Sequence, residues 1–77
     1  MPRIDKIGNL VIWMYHQDHK PPHFHVVGPD IYAKITIGDG LVLEGNLPKR
    51  TLKRVFAWAG KNENRRLLEE KWAELSE

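Results

Sequence analysis

The chain reads as a single α+β domain, a four-stranded antiparallel β-meander with two C-terminal α-helices packed on one face. Three observations predict this. The first half alternates apolar and polar residues in short runs, separated by Gly, Pro, Asp and Asn, which is the period of strands and turns. From residue 48 onward the apolar spacing lengthens to that of helices. Finally, 77 residues leave room for only one hydrophobic core.

Residues 9–15, Asn-Leu-Val-Ile-Trp-Met-Tyr, are β-branched and aromatic and make the first expected strand. Residues 16–22 form a polar loop ending in Pro21-Pro22, a pair that offers a ladder no N–H donors. Residues 23–27 alternate again and make the second strand. Gly28-Pro29-Asp30 is turn chemistry, with Pro29 suited to the first central position of a type I turn. Residues 31–37 place Ile31, Ala33, Ile35 and Ile37 opposite Tyr32, Lys34 and Thr36. After Gly38-Asp39-Gly40 comes the fourth strand, residues 41–46.

Turn lengths set the register. A two-residue Pro29-Asp30 loop pairs Val26 with Ala33 and Phe24 with Ile35, which joins the apolar faces. It also sets His25 opposite Lys34 and His23 opposite Thr36. A three-residue loop at residues 38–40 pairs Ile37 with Leu41, Ile35 with Leu43 and Ala33 with Gly45. Lys34 then faces Glu44, and every aliphatic residue except Val42 shares one face. Both strand histidines fall on the polar face, beside Tyr32, Lys34 and Glu44.

The first helix is expected at about residues 48–59, with Pro48 in its first turn. Leu52, Val55, Phe56 and Ala59 make its apolar stripe, and Gly60 stands where a C-cap belongs. Trp58 lies off that stripe. The second helix, about residues 63–75, is capped by Asn62 or Asn64 and presents Leu68, Trp72 and Leu75.

Composition is that of a folded protein, 42% hydrophobic and 29% charged. There is no cysteine, which excludes disulfides, thiolate metal sites and thiol nucleophiles and favours a cytoplasmic location. The longest apolar run, residues 10–15, is too short to span a bilayer. The net charge is only +2, but it is unevenly spread. Seven basic residues, including Lys49, Arg50, Lys53 and Arg54, stand between residues 49 and 66 against one acid, Glu63. Such a block suits a phosphate backbone or an acidic partner, or simply a solvated helix face.

All four histidines, His16, His19, His23 and His25, lie within ten residues, with Asp18 among them. Imidazoles change charge near neutrality and bind metals, so the cluster admits three readings. It is a metal site for a divalent ion such as zinc, built on His23 and His25, which stand about 6–7 Å apart along one strand face, with a third ligand from His16, His19 or Asp18. It is a metal-independent ribonuclease site, with His23 and His25 as acid and base, Lys34 stabilising charge and His19 or Asp18 orienting. Or it is structural, with imidazoles bonding loop carbonyls around Pro21-Pro22. No glycine-rich phosphate loop, nucleophile elbow or zinc-protease motif is present.

The run Met14-Tyr15-His16-Gln17-Asp18-His19-Lys20-Pro21-Pro22-His23-Phe24-His25 resembles the signature of a family of small prokaryotic proteins, domain of unknown function 4160. The likeness continues through Leu43-Glu44-Gly45-Asn46-Leu47-Pro48, Ala57-Trp58-Ala59, Leu67-Leu68-Glu69 and Trp72. The resemblance implies the toxin-like component of a two-gene toxin–antitoxin pair, with a cognate small antitoxin-like partner and RNA or translation as its target. RNA or the partner would then meet Tyr32 and the Lys49, Arg50, Lys53 and Arg54 block. His16 departs from the signature, so a metal set of His19, His23 and His25 is favoured over one using His16. A non-enzymatic partner-binding module is the alternative, and homo-oligomers fit either reading. Every functional expectation requires the imidazoles of His23 and His25 to face water beside Lys34.

Overall fold

The computed structural model describes residues 3–76. Along the chain come β1 (Arg3–Ile7), β2 (Leu10–Trp13), β3 (His23–Gly28), β4 (Ile31–Thr36), β5 (Val42–Asn46), α1 (Lys49–Ala59) and α2 (Asn62–Leu75). All five strands are antiparallel neighbours in chain order, a simple meander. The α+β class and the two C-terminal helices follow the sequence pattern, but the sheet has five strands, not four.

The additional strand is β1. Three of its five residues are charged, and its two isoleucines, Ile4 and Ile7, are three apart. Period-2 alternation cannot put both on one face. A register shift between Arg3 and Asp5 does so, because the extra residue of a bulge reverses the alternation. Ile4 and Ile7 both pack against the core as a result. Ile7 pairs with Leu10 across a tight turn in which Gly8 takes φ +58°, the left-handed backbone a primed hairpin turn needs.

Pairing of β3 with β4 follows the expected register throughout, including His25 opposite Lys34 and His23 opposite Thr36. The turn type differs. Asp30 has φ +57°, which belongs to the third residue of a type II turn rather than type I. Between β4 and β5, Ala33–Gly45 and Lys34–Glu44 pair as expected, but Ile35 faces Val42, so Leu43 is the extra residue of a second bulge. Leu43 therefore leaves the apolar face, and Leu41, Val42 and Leu43 are all exposed. Gly45 permits this geometry. With φ +86°, a Cβ there would lie 2.1 Å from the Tyr32 carbonyl oxygen.

The core combines one sheet face (Leu10, Ile12, Phe24, Val26, Ala33 and Ile35) with Met14, Leu47, Val55, Leu68 and Leu75. Phe56 is 40% exposed despite its place on the helical stripe, whereas Trp58 packs at the core edge against Phe24 and donates its indole N–H to Asp5 Oδ2 at 2.8 Å. Neither expected asparagine caps α2. Lys61 occupies the cap position, and Asn64 instead donates to the Trp58 carbonyl oxygen, tying the two helices together. Gly60 follows α1 as expected but keeps right-handed helical angles. Among the described residues, no helix is long and apolar enough to cross a membrane.

Candidate functional site: an Asp–His–His cluster under a loop

Alternation along β3 sends Phe24 and Val26 into the core and His23 and His25 to the opposite face. His25 sits there between Trp13 on β2 and Lys34 on β4. The sheet face is thus the expected one, but water is excluded from it. His23 is only 2% exposed and His25 only 4%. Loop 14–22 folds back over the pair. Its Tyr15 ring meets His25 edge-on at 4.5 Å, and Trp72 of α2 packs 5.2 Å from His23. The Gln17 N–H, donating to the Leu75 carbonyl, anchors the loop to the end of α2.

Asp18 comes down from this loop onto both rings. Its Oδ2 lies 2.9 Å from His23 Nε2 and 2.9 Å from His25 Nε2. Its Oδ1 accepts the His19 backbone N–H at 2.9 Å. The far nitrogen of each ring is engaged too. His23 Nδ1 lies 2.7 Å from the Pro21 carbonyl oxygen and His25 Nδ1 2.9 Å from the Tyr32 hydroxyl. Among the described residues, Asp18, His23 and His25 form a cluster with one donor atom each, all within 4.8 Å of one another.

These partners restrict the proton inventory. A carbonyl oxygen only accepts, so His23 Nδ1 must carry the hydrogen. In neutral His23 the Nε2 lone pair would then point at the Asp18 carboxylate, acceptor against acceptor. A proton on either of the two atoms, or a cation between them, removes that conflict. His25 is less constrained, because the Tyr32 hydroxyl can either donate or accept.

Burial pushes the Asp18 carboxyl up. The hydrogen bonds from His25 and from the His19 backbone, together with the charge and hydrogen bond of His23, outweigh it and hold Asp18 below the usual carboxylate range. The Tyr32 hydroxyl is raised, first by burial and then by the charge of Glu44. Lys34 donates to Glu44 Oε2 at 3.1 Å, and this bond holds its ammonium above the usual lysine range. The amine therefore serves the cross-strand pair, although Lys34 lines the same small cavity as His23.

The cluster thus unites His23 and His25 with Asp18, not with His19. His19 is exposed and contributes only its backbone N–H, and His16 is exposed as well. Tyr32 reaches the cluster through His25. Lys49, Arg50 and Lys53 lie apart on the surface of α1, and Arg54 turns its guanidinium onto Gly8. The two walls, Tyr15 and Trp72, read from sequence only as strand and core residues. Tyr15 had one detectable signal, its place inside the run of residues 14–25.

Fold and cluster together define a small α+β domain organised around a loop-covered Asp–His–His site. Residues 9–73 match the family described as domain of unknown function (DUF4160), and the chain belongs to that family. No curated protein and no solved structure matches it.

Proposed function

We infer that this domain binds one divalent transition-metal ion, with zinc the first choice, through His23 Nε2, His25 Nε2 and an Asp18 carboxylate oxygen. The observation that carries the reading is the bonding of the far ring nitrogens. His23 Nδ1–H donates to the Pro21 carbonyl, and when His25 takes the tautomer whose Nδ1–H donates to the Tyr32 hydroxyl, both Nε2 lone pairs converge on the same carboxylate. Metal-ligating histidines are held in this way by an outer partner that sets tautomer and ring orientation. The 2.9 Å separations between Nε2 and Oδ2 are those of two ligands at a right angle about 2.0–2.1 Å from one ion. Tetrahedral zinc, with ligands about 3.3–3.4 Å apart, needs Asp18 to withdraw by a few tenths of an ångström. Two imidazoles and one carboxylate suit zinc or iron(II) and leave coordination positions for water or a substrate group.

The test is a zinc titration of untagged, chelator-treated protein by calorimetry. One ion per chain is expected, with binding lost in His23→Ala and in His25→Ala and kept in His19→Ala. Wild-type protein that takes up no stoichiometric zinc, cobalt or iron(II) would exclude the site. Acid–base cleavage of RNA by the same histidines is less well supported, because both rings are enclosed and each of their nitrogens already has a partner.

A toxin-like component acting on RNA or translation is the second reading, supported by the resemblance and by the exposed cations of α1. Induced expression should then arrest growth, and a Lys49→Ala/Arg50→Ala/Lys53→Ala variant should relieve the arrest. Unimpaired growth with the wild-type chain would count against it.

A further inference from the structure

β5 is an edge strand, with β4 as its one strand neighbour among the described residues. Every residue of β5 is exposed, and Leu41, Val42 and Leu43 show 58%, 42% and 44% of their surface. Proteins normally protect such an edge with charges, prolines, bulges or a covering element, and β5 has one charge, Glu44, and the bulge at Leu43. Ahead of Glu44 the strand still carries two exposed consecutive aliphatics, one on each side of the sheet. Val42, paired with Ile35, points to the helix side. Leu43, the bulged residue, lines a cavity of about 180 Å³ on the loop side, whose other lining residues, His23, Lys34 and Glu44 among them, are all polar but Pro21. One flat partner surface cannot cover both residues. A strand added to the edge can, because its own side chains alternate between the two sides.

α1 supplies the second half of the recognition. Its first two turns lead from just past the end of β5 back toward the β4–β5 turn. Lys49 begins the helix three residues after Asn46, and the Phe56 ring lies over Gly40, where a Cβ would meet its Cε1 at 3.1 Å. The helix holds four cations and no acid, and its first turn carries Lys49 and Arg50 where acidic residues usually stand. Lys49, Arg50 and Lys53, with Leu52 and Phe56, line an open groove of about 480 Å³.

We propose that the β5 edge and this face of α1 form a docking site for an acidic, extended segment of a partner protein, which adds as a sixth strand. Its main chain pairs with β5. Its acidic side chains project on the helix side toward Lys49, Arg50 and Lys53, and its aliphatic side chains on the other side beside Leu43. The bulge at Leu43 bends the strand, so the docked segment is short, about five residues. A second copy of this chain fits poorly. Antiparallel β5–β5 pairing has its two-fold axis perpendicular to the sheet, which sets two α1 helices side by side, each with four cations. RNA also fits poorly, because a nucleic-acid strand has no peptide main chain to continue the β5 ladder and would leave Leu43 uncovered. The inference requires no bound metal, although His23 also lines the cavity beside Leu43.

The test is an NMR titration of the full chain with a synthetic eight-residue peptide alternating glutamate and valine. The same peptide with lysine for glutamate and an eight-nucleotide oligouridine serve as comparisons. The acidic peptide should shift the amides of β5 and slow their hydrogen exchange. Its affinity should fall at least tenfold in Lys49→Glu/Arg50→Glu/Lys53→Glu and at least tenfold in Leu43→Lys. These residues are exposed, and far-UV circular dichroism verifies that the variants fold. The proposal is overturned if the acidic peptide leaves the β5 amides unmoved, or if the lysine peptide or oligouridine binds them as tightly. Sedimentation that shows a dimer with protected β5 amides before any peptide is added would overturn it too.

Discussion

Asp18→Asn separates the two things the cluster can do, hold the loop and hold a metal. The amide has nearly the shape of the carboxylate but one acceptor oxygen instead of two. If that oxygen stays on the imidazoles, an NH2 group meets the His19 N–H, donor against donor. If it turns toward His19, both imidazoles lose their acceptor. Either way at least one hydrogen bond to a charged group is lost, at a cost of about 1.5–3 kcal/mol. A chain of this length has a total stability of about 4–12 kcal/mol, so the loss is a large share of it. Each kcal/mol moves the midpoint of a domain this small by about 4–8 °C, so metal-free Asp18→Asn should melt about 6–24 °C below metal-free wild type. Zinc at a hundred times its Kd should stabilise wild type by about 2.7 kcal/mol. In thermal melts followed by circular dichroism that is a rise of about 10–20 °C. The variant, whose amide is a poor ligand and lacks the compensating charge, should show almost none. Equal zinc shifts in both proteins would refute the assignment of Asp18. A variant as stable as wild type without metal would refute the hydrogen-bond reasoning.

Tyr32→Phe removes the hydroxyl that orients His25 Nδ1, and zinc affinity should fall about 10–100-fold by calorimetry with the stoichiometry unchanged. Zinc binding should weaken as pH falls, because proton and metal compete for the same imidazole lone pairs. Asp18, held below the usual carboxylate range, contributes stability that is present above about pH 4 and is lost as pH falls through its folded value. Acid titration of metal-free wild type against Asp18→Asn should show the two stabilities converging at low pH. Gly45→Ala should cost more than Gly38→Ala in urea unfolding. Both positions have positive φ, worth about 1–2 kcal/mol for a residue with a Cβ. Only at Gly45 would the Cβ also strike neighbouring backbone, 2.8 Å from Ala33 Cα, so about 3–5 kcal/mol is expected there.

Most of the architecture was legible because it is local. Alternation within residues 23–37, with a Pro-Asp turn of fixed length, sets the β3–β4 register and so puts His23 and His25 on the face opposite the core. The helical period from residue 49 and the breakers around Gly60 set both helices to within a residue or so. Two of the errors, in the strand count and at Leu43, share one cause. A bulge inserts a single residue and reverses every later side chain, and nothing in local composition marks where it falls. This hid the strand Arg3–Ile7 and moved Leu43 from the apolar face to solvent.

The site divides along the same line. Histidine density and spacing alone singled out residues 16–25 and predicted that two imidazoles share a sheet face. Only the tertiary fold decided that Asp18 rather than His19 joins them, that Lys34 pairs with Glu44, and that loop 14–22 closes over the rings. The physical reason is distance along the chain. Residue identity and period-2 geometry act between neighbours in a strand. The path of a loop is set by what it packs against, here Trp72 and Leu75 at the far end of the second helix, some fifty residues away.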